Sequence, residues 1–590
     1  MSTKTLIRKA APNPAAAAQA ASRQAASRQA ASRQAASRQA ASRQAASAAD
    51  DWDPALLERP RIAANVEIHE PIESGAPWVL QRGNHQHFRL QPDMARLVRA
   101  MDGTLDHTGL AEVLGPPWTA QHVGTAVHKL ADSKVLDDGK PAERRSTWFR
   151  FVPPMTLQFT VVHPERLLAR LAPVIRLLAG RTSAAVAALF VLGGILALAL
   201  LTPEVDAALG RPLPFYAYFG VMAGVLATTA VHEVGHGAVL TYYGGRPSRM
   251  GFMLFYMSPA FFCDVSDGWR LSRKEQRVRV ALAGIATQTV IAGAAALSAL
   301  FLGPSDLRDA VLVFAVATYT SGVVNLLPFV KLDGYIALMS HLDVPHLRDR
   351  AMTDARRFLA RTLFGGRGYA RELAGRRWAV AFGLACMAFP LYVIAGALTL
   401  WSDLLQRLGA VGTSTVLMVV CYLVYRLGLG FAKLTTEGRA AGAPLWRVIA
   451  AAVLLTGAAG TALVLVKAPY TVAAGYVAHD GGRVELVLPN TADLSAVRPD
   501  SAVRFYRAGL MTREQTGTAN VAATTRTETT APMSAFFPVA ATPVRMPVVS
   551  LPLTVGEAPA DRVGAARVDL GELPLGEWLY VKYVAPLWRR

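Results

Sequence analysis

The sequence predicts a polytopic α-helical membrane protein of about seven spans, with an N-terminal winged-helix-like domain and a C-terminal β-rich exterior domain. Three observations carry this. Of 590 residues, 52% are hydrophobic and only 17% charged, too apolar for an ordinary soluble enzyme. Seven apolar segments, 183–201, 214–242, 279–302, 309–331, 378–400, 411–431 and 448–466, each approach the roughly 20 residues that a helix needs to cross hydrocarbon. Before and after them the chain is polar, with turn residues separating short periodic runs.

Residues 1–50 read as a disordered basic tail, because 20–44 repeat AASRQ five times and a period of five matches no helical face. A linker, 51–75, follows. In 76–140, WVLQRGNHQHFRL places apolar residues on both sides of Gly83-Asn84, which predicts a hairpin. Met94, Leu97, Val98 and Met101 then recur at helical spacing, Leu110, Val113 and Leu114 begin a second helix, and Val123, Val127 and Leu130 mark a third. The last helix offers only His122, His128 and Lys129 to a nucleic acid, where a groove reader carries more Arg and Lys. His85 and His87 read as exposed strand histidines. With this order of elements, HFRLQPDMARLVRAMDGTLDHTGLAEVL resembles the PqqD-like peptide-recognition domain of ribosomal-peptide modification systems. The resemblance implies capture of a leader peptide as an added strand.

Residues 141–182 form a connecting and interfacial segment, and 183–466 the membrane domain. The net charge of +19 falls mostly in the tail and in alternate loops. Arg166, Arg170, Arg176 and Arg181 precede the first span, and Arg246, Arg249, Arg270, Arg273, Lys274 and Arg277 follow the second. The loops between carry few basic residues, as with Glu204, Asp206 and Arg211. This is the positive-inside pattern, and it predicts a cytoplasmic N-terminus, an exterior C-terminus and a lipid bilayer, not nucleic acid, as the partner. MSTKTLIRKAAPNP lacks an apolar core, so the first span is expected to direct insertion. Cys263, Cys386 and Cys421 lie in or beside apolar segments and imply no disulfide framework. Residues 467–590 alternate in runs such as RVELVLP and SAVRFYR, predicting an exterior β domain, and within it VELVLPNTADLSAVRPDSAVRFYRAG resembles the barrel segment of HlyD-type adaptors.

The second span contains TTAVHEVGHGAVLTYY, where His232, Glu233 and His236 interrupt a run otherwise free of charge. Ionisable groups in hydrocarbon are costly unless partnered, so such a cluster marks a functional site. Four residues apart on a helix, His232 and His236 project from one face and can share an ion, with Glu233 beside them for work on bound water. A catalytic zinc takes three protein ligands and keeps one open position. Candidates for the third are Asp333, in NLLPFVKLDGYIAL, and behind it Asp264 and Asp267, in CDVSDGWR. Topology ranks Asp333 first, because the second and fourth spans run the same way and both reach the cytoplasmic half. Pro328 interrupts the helix before it, giving irregular backbone of the kind tolerated only around a cavity.

Two motifs, His232-Glu233-x-x-His236 and Asn325-x-x-Pro328-x-x-x-Leu332-Asp333-Gly334, resemble those of the site-2 protease family of intramembrane zinc metalloproteases. The resemblance implies one zinc per chain on His232, His236 and Asp333, Glu233 as general base, and Asn325 positioning substrate or the oxyanion. Where many relatives have A-G-P-x-x-N, this chain has Ala283-Gly284-Ile285-Ala286-Thr287-Gln288, which leaves the contribution of that helix open. The apolar stretch 249–262 reads either as an edge for an extended substrate or as an ordinary core segment.

A peptide-binding module joined to such a site is similar to the intramembrane metalloproteases of daptide-type peptide biosynthesis. It implies cleavage of the leader from a ribosomally made precursor in a bacterial inner membrane, alongside the modification enzymes of the same pathway and with possible coupling to export. The alternatives are a regulatory protease that cuts a membrane-bound signalling protein, and a non-proteolytic peptide export or immunity protein.

Overall fold

The computed structural model describes residues 54–71, 78–82, 86–137, 148–152, 156–255, 258–406, 409–489, 497–509, 513–537, 539–540 and 544–585. The AASRQ tail, the Gly83-Asn84 turn and His85 lie outside the described residues, as do the side chain of His87 and residues 138–147.

The chain divides into two units. The first holds a short helix, α1 (Pro54–Glu58), strands β1 (Val66–His69), β2 (Trp78–Arg82) and β3 (Gln86–Leu90), then helices α2 (Pro92–Ala100), α3 (His107–Leu114) and α4 (Ala120–Asp132). The strands form an antiparallel sheet in the order β1-β2-β3, with Trp78 opposite Leu90. Strand β1 was not expected: in VEIH the alternation is too short to register. The helices start where their caps allow. Asp106 accepts from the Gly109 amide and Thr119 from the His122 amide, satisfying donors that have no partner inside the helix. Leu80, Leu97, Leu110, Val123 and Val127 meet in one core.

In the second unit, β4 (Phe149–Val152) and β5 (Thr156–Val162) lead through α5 (Glu165–Arg170) and α6 (Ala172–Leu178) to α7 (Arg181–Leu200) and α8 (Thr202–Gly210). After β6 (Leu213–Pro214) come α9 (Phe215–Tyr242), β7 (Met250–Phe255), β8 (Ser258–Cys263), α10 (Lys274–Ala299), α11 (Asp306–Leu326), α12 (Asp333–Leu342), α13 (Leu347–Phe364), α14 (Ala379–Gln406), α15 (Gly409–Ala440) and α16 (Leu445–Leu465). Seven of these, α7, α9, α10, α11, α14, α15 and α16, contain stretches long and apolar enough to cross a membrane. They overlap the seven segments read from the sequence, the fourth ending at Leu326, ahead of Pro328, and not at 331. Leu189, Leu192, Phe219, Met222 and Leu454 are exposed on them, as a surface facing lipid requires.

Helix α10 is central and packs on α7, α9, α11 and α12. Its buried face is built from small residues, including Ala281, Ala283, Gly284, Ala292, Gly293 and Ala296. In lipid no hydrophobic effect drives helices together, so close backbone approach must supply the attraction. At the α7 crossing a Cβ on Gly194 would lie 2.4 Å from the Gly293 Cα. The segment expected only to connect, 141–182, contributes β4 and β5 to a sheet of order β4-β5-β7-β8, which leaves β8 at an edge.

After α16 the chain forms β9 (Lys467–Ala478), β10 (Val484–Pro489), β11 (Ala502–Ala508), β12 (Arg513–Val521), β13 (Thr527–Pro532), β14 (Val539–Ala540), β15 (Arg545–Glu557), β16 (Val563–Pro574) and α17 (Leu575–Leu579). Antiparallel pairings run β10-β9-β16-β11-β12-β15, and β15 pairs again with β10, so six strands close into a barrel with β13 added on β15. Closure removes the exposed edges that an open sheet would leave. Tyr476, Leu486, Leu488, Phe505, Val521 and Val568 fill the interior. Strand β14 pairs in parallel with β6, the two residues before α9. Beside this tie, Gly509 meets the α8 backbone so closely that a Cβ there would stand 2.1 Å from the Leu209 carbonyl oxygen. Cys263, Cys386 and Cys421 are free thiols.

Candidate metal centre

His232 and His236 are buried on the α9 face that packs against α10, and their Nε2 atoms stand 3.1 Å apart. Helix α10 holds each ring by its other nitrogen. His236 Nδ1 lies 2.7 Å from the Val280 carbonyl, and His232 Nδ1 lies 2.6 Å from Gln288 Oε1. Both acceptors are oxygens, so both Nδ1 atoms carry a proton, and in the neutral rings the Nε2 lone pairs are the ones that can face a cation. Gln288 is itself oriented, because its Nε2 donates to the Thr318 carbonyl on α11 at 3.1 Å. Gly284 completes this wall: a Cβ there would lie 2.5 Å from the Nε2 atoms of both histidines.

The third group arrives from a different element. Asp333 is the first residue of α12, where the helix dipole favours a carboxylate. Its Oδ2 lies 2.9 Å from His232 Nε2 and its Oδ1 3.3 Å from His236 Nε2. Pro328 forces the residue before it out of helical geometry, and Leu327, which ends α11, has φ −67° and ψ 123°. The loop then folds back on α11 so tightly that a Cβ on Gly334 would stand 2.1 Å from the Leu326 carbonyl oxygen.

Ligand atoms about 2.0–2.2 Å from a shared tetrahedral zinc are separated by roughly 3.3–3.5 Å. The two imidazoles and the carboxylate stand only slightly closer than that, so their spacing is compatible with a set of three ligands and a fourth, open position.

Glu233 occupies the next position on α9, half-buried, and its Oε2 accepts from the Cys263 amide at 2.8 Å. The Asp264 amide donates to Arg249, towards the β7 side. By the alternation of a strand, the Cys263 amide therefore points the other way, off the outer edge of β8, and the main-chain groups of Phe261 do the same. The general-base candidate is thus attached to the edge strand that the 249–262 stretch raised as one of its two readings. Ligand atoms of His232, Glu233 and His236 all lie within 4.8 Å of one another.

Asp264 and Asp267 are occupied elsewhere. Asp264 accepts from the hydroxyls of Ser248 and Ser266 and pairs with Arg249 at 3.3 Å. Burial alone would raise its pKa, but these hydrogen bonds and the guanidinium hold it below the ordinary carboxylate value. Asp267 accepts from the Arg246 amide. Asn325 is half-buried in the last turn of α11, and its side chain has no hydrogen bond among the described residues. Sequence reasoning left the Ala283–Gln288 stretch open and did not find its role, although a Gln in an apolar span opposite two histidines is a signal in itself.

Fold and site together define a polytopic helical membrane protein with a buried cluster of metal-ligating side chains between spans. Over 116 residues, 19% of this chain, the sequence is 30% identical to a protein of Bacillus subtilis (strain 168) named "Putative peptide zinc metalloprotease protein YydH". The match spans 44% of that protein, less than half its length. No family model matches the chain, and no solved structure does.

Proposed function

We propose that this protein is an intramembrane zinc metalloprotease of the site-2 protease type, which cleaves the leader from a ribosomally made, modified precursor peptide. The observation that carries the reading is the convergence of His232, His236 and Asp333, from two separate elements, to 2.9–3.3 Å of one another beside Glu233.

In this reading the two histidines and Asp333 would hold one zinc. When bound, zinc lowers the pKa of its water towards neutrality and polarises the scissile carbonyl. Glu233 would act as the base, its carboxylate taking a proton from the attacking water and returning it to the leaving amine, a transfer of the kind worth about 10²–10⁴ in rate. A helical peptide bond is shielded by its own hydrogen bonds, so the substrate is cut as an extended strand laid along β8. There the outward amide and carbonyl of Phe261 give it backbone partners. Asn325 sits one loop away from Asp333 and positions substrate or the oxyanion.

The first unit captures the leader, its three-stranded sheet offering edges for strand addition. We read the first unit as cytoplasmic and the barrel as exterior to a bacterial inner membrane, a reading that the alternation of basic loops supports. An odd number of spans is in keeping with ends on opposite sides.

The test is cleavage of the cognate precursor by purified protein in detergent, with metal content measured in parallel. Glu233→Gln is expected to keep its zinc and lose cutting, which separates a protease from a transporter with a structural metal. Undiminished processing by Glu233→Gln would overturn the proposal.

A further inference from the structure

We infer that Arg348 is a positioning residue for Asp333, and that it does this by docking on a backbone carbonyl exposed by Pro390 in another span. The inference rests on the metal-binding reading above.

Six residues, 327–332, separate the end of α11 from Asp333, and they form neither helix nor strand. Something outside the loop must hold it if a carboxylate is to stay at ligand distance. Arg348, near the start of α13, donates from Nε to the Phe329 carbonyl at 3.1 Å, in the middle of the loop. Its own backbone amide donates to the Tyr335 hydroxyl at 3.3 Å, two residues beyond Asp333. The arginine therefore touches the chain on both sides of the ligand. Lys331 pairs with Asp349 at 3.5 Å, but both are largely exposed, and such pairs contribute little.

The other end of the guanidinium explains how the arginine is itself fixed. Its Nη2 donates to the Cys386 carbonyl of α14 at 3.5 Å. In a continuous helix that carbonyl would accept from the amide of residue 390. Residue 390 is a proline inside α14 and has no amide hydrogen. Within a membrane an orphaned carbonyl needs a substitute donor, and Arg348 provides one. Phe329 follows the same route: its ring packs on Phe382 and Phe389 of α14, with centroids 6.1 and 5.5 Å apart. One span, which contributes no candidate ligand, thus holds the loop that leads into Asp333.

Mutation of groups that orient metal ligands typically lowers metal affinity about 10–100-fold, and the same is expected of Arg348→Ala. Zinc affinity of the full-length protein in detergent is read by competition with a chromophoric chelator, and ligand geometry by the visible spectrum of the Co2+ form. Arg348→Ala should weaken zinc within that range and change the Co2+ spectrum. Arg348→Lys, which keeps a donor for the Phe329 carbonyl, should recover part of both. Pro390→Ala restores a helical donor to the Cys386 carbonyl and should weaken zinc less than Arg348→Ala. Arg350→Ala is the control for general damage to α13, since Arg350 donates to the Glu372 carbonyl away from the loop. Wild-type affinity and spectrum in both Arg348 variants would overturn the inference, as would equal weakening by Arg350→Ala. Failure of the wild-type protein to bind zinc at all would instead overturn the metal-binding reading.

Discussion

The two halves of the candidate metal centre are built in opposite ways. His232 and His236 stand one turn apart on a long helix, and a neighbouring span holds both rings through Gln288 and the Val280 carbonyl. Asp333 follows an irregular loop and is kept in place by contacts from elements far along the chain. The histidine pair is set by local geometry, whereas the carboxylate is set by tertiary structure. A ligand set made this way combines a fixed pair with one donor that depends on distant packing.

The most drastic way to break the comparison is to remove the fixed half. His232→Ala and His236→Ala should each lose zinc to below one-tenth occupancy and abolish cleavage, measured by metal analysis and precursor processing. Replacing the suspended half should do less to the metal. Asp333→Ala is expected to lose most of its zinc but to keep a larger residual fraction than either histidine variant, since the preset imidazoles remain. If Asp333→Ala kept full affinity, Asp333 would not be a ligand and the contrast would be void.

The support of the histidines can be tested more gently. Gln288→Leu leaves His232 Nδ1 without its acceptor and should weaken zinc about tenfold, whereas Gln288→Glu keeps an acceptor and should stay near wild type. Equal affinity in the two would mean that the hydrogen bond does not orient the ring. The smallest change is expected where neither half is touched. Deleting residues 1–140 should raise KM for the natural precursor while leaving kcat and zinc content near wild type, because leader capture raises local substrate concentration only. Equal cleavage curves at low precursor would exclude a role in capture.

The fixed half was legible in the sequence because its information is local. A four-residue spacing states which side chains share a helix face, and hydropathy states that the helix lies in lipid. Asp333 could be ranked above Asp264 and Asp267 from span direction alone, without knowing what holds it. The partners from α10 could not be found that way. Nothing in the period of α10 says that Gly284 lies on two imidazoles, or that Gln288 reaches His232 and not lipid. Similarly, alternation in 467–590 announced strands, but the closing pair of β10 with β15, and the parallel pair of β14 with β6, join residues far apart in the chain. Three runs, 66–69, 149–152 and 156–162, were missed as strands: four residues carry too little alternation to stand out, and the third, TLQFTVV, was absorbed into a segment read as a connection.

The closure of the barrel has a consequence for the order of events during synthesis. Its first strand, β9, pairs with its last, β16, from Val477 opposite Val563 to Lys467 opposite Pro574. The ribosome therefore completes all seven spans, and nearly all of the barrel strands, before the ring can shut. Pairings between such distant segments are slow to form, because the intervening chain must be ordered first. The tie between β14 and β6 must wait in the same way for residue 539. Until then the connection leading into α9 stays uncapped while the helices around the histidines are already in place. A newborn chain thus holds its candidate metal-binding residues well before its barrel is assembled, so a pulse of synthesis followed over time should find metal uptake ahead of protease resistance in the barrel.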